Sequence, residues 1–230
     1  MNENIGMLYI VPTPIGNLED ITLRAIRILK EVDLVLCEDT SVTQRLFKEY
    51  SINTKTSVFY AQTGIKNIEK VMNMLAEGKS IALVSDAGTP TISDPGVLLV
   101  DRVRNELSDV KVIALPGASA LTTALSASGI SSSNFTFYGF FPHKKGRETL
   151  FKIISASEMT SVFYESVHRI EKTLESLENI LEDNRLVVIG RELTKMHEEV
   201  VRGNAKYVKE YFENNKDKIR GEFVVIVSGK

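Results

Sequence analysis

The stretch LVSDAGTPTISDPG, residues 83–96, sets two aspartates, two glycines and two prolines directly behind a short apolar run ending at Val84. Gly88 permits a positive φ and lets the backbone approach a ligand closely. Pro90 and Pro95 fix φ and remove donors, so the loop is stiff before anything binds. Asp86, at the strand terminus, can accept hydrogen bonds from a ligand amine or from exposed backbone N–H groups. Asp94 suits the cap of the helix that follows. The loop is longer and stiffer than a connection requires. Asp86, Ala87, Gly88 and Thr89 are therefore read as a ligand-binding segment.

Comparable segments recur along the chain. PTPIGN (12–17), EDTS (38–41) and PGASA (116–120) each follow an apolar run. In PGASA, Ser119 and Ala120 stand at a helix N-terminus, where unpaired N–H groups suit a ligand carboxylate or polar ring edge; Ser119 serves equally as the helix cap. FFPHKKGRE (140–148) holds Lys144, Lys145 and Arg147, either a solvated face or a phosphate site. YESVHRI places Glu165, His168 and Arg169 just after a strand, and GRELTKMHEEVVRG packs Arg191, Glu192, Lys195 and His197 into another strand-end loop. Carboxylates there are suited to proton abstraction and cations to stabilising developing negative charge. A structural salt-bridge role accounts for some of them.

The elements that must position these residues follow from periodicity. Strands are predicted at 7–11, 34–37, 58–60, 81–84 and 110–115. They alternate with helices carrying Ile21, Ala25, Ile26, Leu29 and Val32, then residues 43–50, then Ile65 to Leu75 closed by Gly78, then 97–107. Near-continuous apolar strands alternating with helices imply a parallel sheet covered on both faces. In such a sheet ligands bind beyond the carboxyl ends of the strands, where the odd segments lie. The break at Pro116-Gly117, with a small-residue helix and the ISSSN loop behind it, separates a first α/β domain, 1–117, from a second, 118–230. In the second, strands are predicted at 135–140, 161–164, 186–189, 199–201 and 223–227, with helices at 149–154, 170–181 and 207–214. The short connection into Glu199 permits antiparallel pairing, so this sheet is expected to be mixed.

Composition narrows the function classes. The chain has 230 residues, 25% charged and 43% hydrophobic, with net charge −2, which argues against strong global attraction to nucleic acid and leaves a local basic patch open. The single cysteine, Cys37, excludes an intramolecular disulfide and fits a reducing cytoplasm. The three histidines lack metal-ligand spacing, so no metal site is expected. P-loop, dinucleotide and nucleophile-elbow motifs are absent. No signal peptide and no apolar run long enough for a membrane helix is read.

Taken together, VPTPIGNLEDITLRAI, CEDT, SDAGTPTISDPG, LPGASA, GFFPHKKGRE, YESVHRI, RELTKMHEE and GEFVV resemble the tetrapyrrole methylase superfamily, and within it the ribosomal RNA small subunit methyltransferase I group. The resemblance runs in order along nearly the whole chain. It implies two α/β domains with S-adenosylmethionine in the cleft between them, and a homodimer. The implied activity is methylation of a cytidine ribose 2′-oxygen in the 16S rRNA of the small ribosomal subunit. By position, Asp86, Ala87, Gly88 and Thr89 would hold the methionine part of the cofactor. Pro12, Ser119 and Ala120 would line it elsewhere, with Tyr164, Leu193 and Glu222 contributing from the second domain. Lys144, Lys145, Arg147, Arg169 and Arg191 would face RNA. Glu165, Glu192 and Asp39 are candidates for the general base, and Lys145 or Lys195 for stabilising the alkoxide. Two departures stand out: Val167 occupies a position where the family commonly has Pro, and many relatives continue past the GEFVVIV strand. Two other readings are carbon methylation of a tetrapyrrole and a non-catalytic cofactor-binding module in ribosome assembly.

Overall fold

The computed structural model describes residues 5–59, 65–93 and 96–230. The chain divides into two compact units, Met1–Ser119 and Ala120–Lys230. The first holds strands β1 (Met7–Ile10), β2 (Leu34–Cys37), β3 (Thr56–Val58), β4 (Ser80–Leu83) and β5 (Lys111–Ala114), with helices α1 (Leu23–Glu31), α2 (Thr40–Glu49), α3 (Ile65–Ala76) and α4 (Val97–Glu106). All its strand pairs are parallel, in the order β3-β2-β4-β1-β5.

Alternation along each strand splits the core into two layers. Tyr9, Val35, Cys37 and Ala82 pack with Ala25, Ile28 and Leu29 of α1 and Leu46 and Phe47 of α2. Leu8, Ile10, Leu36, Ile81 and Leu83 pack with Val71, Met72 and Leu75 of α3 and Leu99 and Val103 of α4. Burial on both faces explains the unbroken apolar runs. The chain therefore leaves β1 toward one face and β4 toward the other. Because β1 and β4 are neighbours, their carboxyl ends form the switch point at which sheets of this kind bind ligands.

The second unit begins with α5 (Ala120–Ser128), followed by β6 (Phe135–Phe140), α6 (Arg147–Ala156), β7 (Thr160–Ser166), α7 (Ile170–Ile180), β8 (Leu186–Arg191), β9 (Glu199–Asn204), α8 (Ala205–Asn214) and β10 (Glu222–Val227). Its sheet is mixed, in the order β6-β7-β10-β8-β9: β6 and β7 are parallel and the remaining pairs antiparallel. Phe163, Ile189, Val201, Phe223 and Val225 meet Phe151, Ile154, Leu174, Leu177, Val208 and Phe212 from α6, α7 and α8. Val188, Val224 and Ile226 alternate to the other face and are buried too. Helix α5 packs against β8, β9 and β10, which is why the compact units divide at Ser119 and Ala120, two residues beyond Gly117.

Several boundaries differ from the periodicity for local reasons. Helix α2 starts at Thr40 rather than at residue 43, because the Asp39 carboxylate accepts from Ser41 N–H and caps the first turn. Strand β3 lies two residues earlier than predicted, since Val35, Leu36 and Cys37 pair with Thr56, Ser57 and Val58; Tyr60 lies outside the described residues. Helix α4 is preceded by Gly96 at φ 114. Asp94, read as its cap, also lies outside the described residues.

Candidate active site

In the first unit, hydrogen bonds and close contacts join the loops that follow β1, β2, β4 and β5. Thr13 N–H donates to Gly88 O and Gly88 N–H to Thr13 O, both at 2.9 Å. The buried Thr13 hydroxyl donates to Ser85 O at 2.9 Å, and Ser85 Oγ to Gly88 O at 3.1 Å. Gly88 has φ 84, and a Cβ there would meet Ile15 at 3.4 Å, an ordinary contact; conformation rather than space demands glycine. Asp39 N–H donates to Asp86 Oδ1 at 3.0 Å, tying the β2 loop to the β4 loop. Thr89 Oγ1 donates to Ala118 O at 3.0 Å, and Gly117 lies so close to Pro12 that a Cβ would sit 2.6 Å from the proline ring.

The result is a braced rim along one sheet edge. Asp86 and Ala87 are exposed on it, Gly88 and Pro12 are buried beneath, and Thr89 and Ser119 are half-buried. Of the two roles open to Asp86, the structure displays the backbone one, with one carboxylate oxygen on Asp39 N–H. The hydroxyl and backbone N–H of Ser41 hold the Asp39 carboxyl below its ordinary range. An exposed carboxylate beside small residues suits a small molecule carrying an amine. Thr13, within PTPIGN, carries no signal in its type; its role depends on meeting Gly88, 75 positions away.

In the second unit, sequence neighbours turn to different tasks. Glu165, a candidate base, is 3% exposed. Its Oε1 accepts from Ser166 N–H at 2.8 Å and Arg169 Nε at 2.6 Å; its Oε2 accepts from Thr173 Oγ1 at 2.7 Å and pairs with Arg147 Nη1 at 3.0 Å. Burial alone would raise its pKa, but the bonds from Thr173, Arg169, Ser166 and Arg147 outweigh that and hold it below the ordinary range. Such a carboxylate is a fixed anion joining β7, α6 and α7. Arg147 and Arg169, expected to face RNA, are thereby turned inward. Arg147 also lies 4.8 Å from the centre of the Phe141 ring and donates to Pro142 O at 3.1 Å. Lys144 and Lys145 remain exposed.

Glu192 and Lys195 form a second cluster. Glu192 Oε1 accepts from Lys195 Nζ at 3.0 Å and Glu222 N–H at 3.1 Å, and Lys195 Nζ reaches Glu222 Oε2 at 2.7 Å. Burial opposes charge on Glu192 and Lys195, yet their mutual contacts and Glu222 prevail: Glu192 is held below its ordinary range and Lys195 above. The backbone here is unusual, with Glu192 at φ 49 and Thr194 at φ 67. Glu192 lies against Gly221, where a Cβ would fall 2.0 Å from its carboxylate. Leu193 is 6% exposed and packs on Gly190.

Arg191, read as an RNA contact, is 7% exposed and faces Glu199 with Nε 3.5 Å from Oε2. Glu199 also accepts from Tyr211 and Lys218, and these contacts hold its carboxyl low against the effect of burial. Tyr164 lies edge-on to Phe137 and Phe140. Among the described residues, no group of three or more His, Cys, Asp and Glu side chains could hold a metal ion, and no helix is long and apolar enough to cross a membrane.

Comparison with known proteins fits this architecture. The sequence profile described as Tetrapyrrole (Corrin/Porphyrin) Methylases matches residues 7–209. The ribosomal RNA small subunit methyltransferase I of Hydrogenobaculum sp. is 48% identical over 224 residues, 96% of this chain and 95% of that protein. Its namesake from Thermotoga maritima is 45% identical, covering 98% of this chain and 100% of its own. That from Bacillus subtilis is 44% identical, covering 99% and 76%, so these relatives differ in length. Among solved structures, the methyltransferase CobJ superposes with a TM-score of 0.70 at 18% identity, over 97% of this chain and 94% of its own. A uroporphyrin-III-C-methyltransferase from Thermus thermophilus gives 0.65 at 17%, over the same shares. The structural likeness speaks to the fold, whereas the profile and the sequence identities speak to descent: the chain belongs to the tetrapyrrole methylase family and is a methyltransferase.

Proposed function

We propose that the protein transfers a methyl group from S-adenosylmethionine to the ribose 2′-oxygen of a cytidine in the 16S rRNA of the small ribosomal subunit, acting as a cytoplasmic homodimer. The observation that carries this reading is 48% identity, over almost the full length, to a relative named for small-subunit ribosomal RNA. S-adenosylmethionine would supply an electrophilic methyl group on a sulfonium. The braced rim fits such a compound: Asp86 provides an anion for its ammonium, the exposed Ala87 and half-buried Thr89 flank it, and Gly88, its N–H and C=O bonded to Thr13, sets the shape of the loop. Pro12, Ser119 and Ala120 complete the first set. Tyr164, Leu193 and Glu222 are assigned from the resemblance. Holding the acceptor oxygen in line with the methyl group can contribute on the order of 7–11 kcal/mol.

The two oxygens of Asp86 allow a selective test. Asp86→Asn keeps an acceptor for Asp39 N–H but removes the charge. Losing a charge-assisted hydrogen bond of about 1.5–3 kcal/mol should weaken S-adenosylmethionine binding roughly 10- to 150-fold in a calorimetric titration. Undiminished affinity would remove Asp86 from the site.

The product identifies the methylated atom. Alkaline cleavage of RNA uses a free 2′-oxygen as internal nucleophile. Incubating unmethylated small ribosomal subunits with methyl-labelled cofactor should therefore leave one alkali-resistant dinucleotide carrying the label, with cytidine on its 5′ side. Assembled subunits should outperform naked RNA if the target nucleotide is presented unstacked by the folded particle. Label on a base atom, or transfer to a tetrapyrrole and not to subunits, would refute the assignment.

A further inference from the structure

Strand β6 carries an irregularity in its pairing with β7. Phe137 is in register with Val162 of β7, and Phe140 with Tyr164, so three steps on β6 match two on β7. The extra residue falls at Tyr138-Gly139, where Gly139 has φ 64. In a regular strand, residues three apart point to opposite faces. The bulge brings both rings to one side: Phe137 and Phe140 lie 5.0 and 5.2 Å from the Tyr164 ring, each edge-to-face. Bulges re-aim side chains in this way beside functional sites. Phe140 is nevertheless 63% exposed, while the next residue, Phe141, is 1% exposed in the core.

The basic loop begins directly behind this ring. Arg147 is spent on its anchoring, with its guanidinium on Glu165, Pro142 O and the Phe141 ring. His143, Lys144 and Lys145 stay exposed on the anchored loop. An exposed aromatic face, braced from below and followed within five residues by two solvent-facing lysines, has the composition of a site for an unstacked nucleotide. Single-stranded RNA is bound by stacking bases on aromatic rings and pairing phosphates with cations.

We propose that Phe140 is a stacking platform for an unstacked base of the RNA acceptor, and that Lys144 and Lys145 hold phosphates of the same segment. This rests on the RNA reading above and deepens it by naming the residue that meets the base. Phe140 packs on Tyr164, assigned above to the cofactor, so S-adenosylmethionine affinity is measured for each variant to separate an effect through Tyr164 from one on RNA, and the thermal unfolding midpoint is the check on folding.

Binding of unmethylated small subunits and of a single-stranded oligoribonucleotide should weaken about tenfold in Phe140→Ala. Phe140→Leu should weaken it similarly, and Phe140→Tyr should retain it, because stacking needs a ring and not merely an apolar surface. The salt dependence should be unaltered in all three. Lys144→Ala with Lys145→Ala should instead flatten it by a slope of roughly 0.7 per lost contact. The chain contains no tryptophan, so Phe140→Trp installs a single reporter whose emission should be quenched on RNA binding. Wild-type affinity in Phe140→Ala, or unchanged emission from Phe140→Trp at saturating RNA, would overturn the proposal. So would light scattering that shows Phe140→Ala losing a self-association while RNA binding is kept, since the ring would then meet a second copy of the chain. If the wild-type protein neither binds nor methylates small subunits, the RNA reading itself falls. If it does both and the Phe140 variants behave like it, only the stacking role falls.

Discussion

Replacing Glu165 by alanine is expected to destabilise the second unit by about 3–5 kcal/mol, the usual consequence of removing one partner from a buried ion pair. The carboxylate receives four contacts, two on each oxygen, and its side chain is wholly buried. Its loss would leave Arg147 and Arg169 half-buried without their counter-charge and would release α6 and α7 from β7. Glu165→Gln keeps the shape and should still cost much of this, because an amide offers one acceptor oxygen where two are used. The effect should depend on pH with a definite sign. The Glu165 carboxyl is held below the ordinary carboxylate range in the folded chain. Its contribution is therefore complete above the unfolded pKa of about 4.3 and is lost as pH falls through the lower folded value. Urea unfolding followed by circular dichroism at neutral and at acid pH checks both points. A wild-type midpoint for Glu165→Ala at pH 7 would show that the cluster does not hold the unit together.

Lys195→Gln is expected to lower kcat about 10²- to 10³-fold, the range found when one preorganised donor to a developing oxyanion is removed. The Lys195 ammonium is fixed between the Glu192 and Glu222 carboxylates, and these contacts keep it charged despite partial burial. It is thus a standing cation rather than a proton acceptor. Glu192, held low by the same contacts, is a weak base at neutral pH. The amide of glutamine can still bridge the two carboxylates, so the loop should keep its shape while losing the charge. Single-turnover methylation of small subunits, with cofactor affinity measured in parallel, separates chemistry from binding. A kcat within threefold of wild type would remove Lys195 from the reaction.

Much of the fold is legible in the chain because its signals are local. The apolar run 34–37 is strand β2 in full, and the 3.6-residue spacing around Ala25 and Leu29 marks the buried stripe of α1. The loop at residues 85–90 announces itself through Gly88 and Pro90, residues that restrict or relax φ wherever they occur. The methylase resemblance rests on the same continuous segments. Charged positions read differently. Arg147 and Lys145 are two residues apart and look equivalent in sequence, yet Arg147, at the start of α6, is drawn inward by Glu165 of β7 while Lys145 stays in solvent. Thr13 meets Gly88, and Asp39 meets Asp86, only because the sheet order makes β4 the neighbour of both β1 and β2. Phe140 shares a face with Phe137 only because a bulge breaks the two-residue period. Propensity and periodicity act over a few bonds and are written along the chain. The direction and partner of a side chain depend on strand order, register and burial, which exist only once distant segments have met.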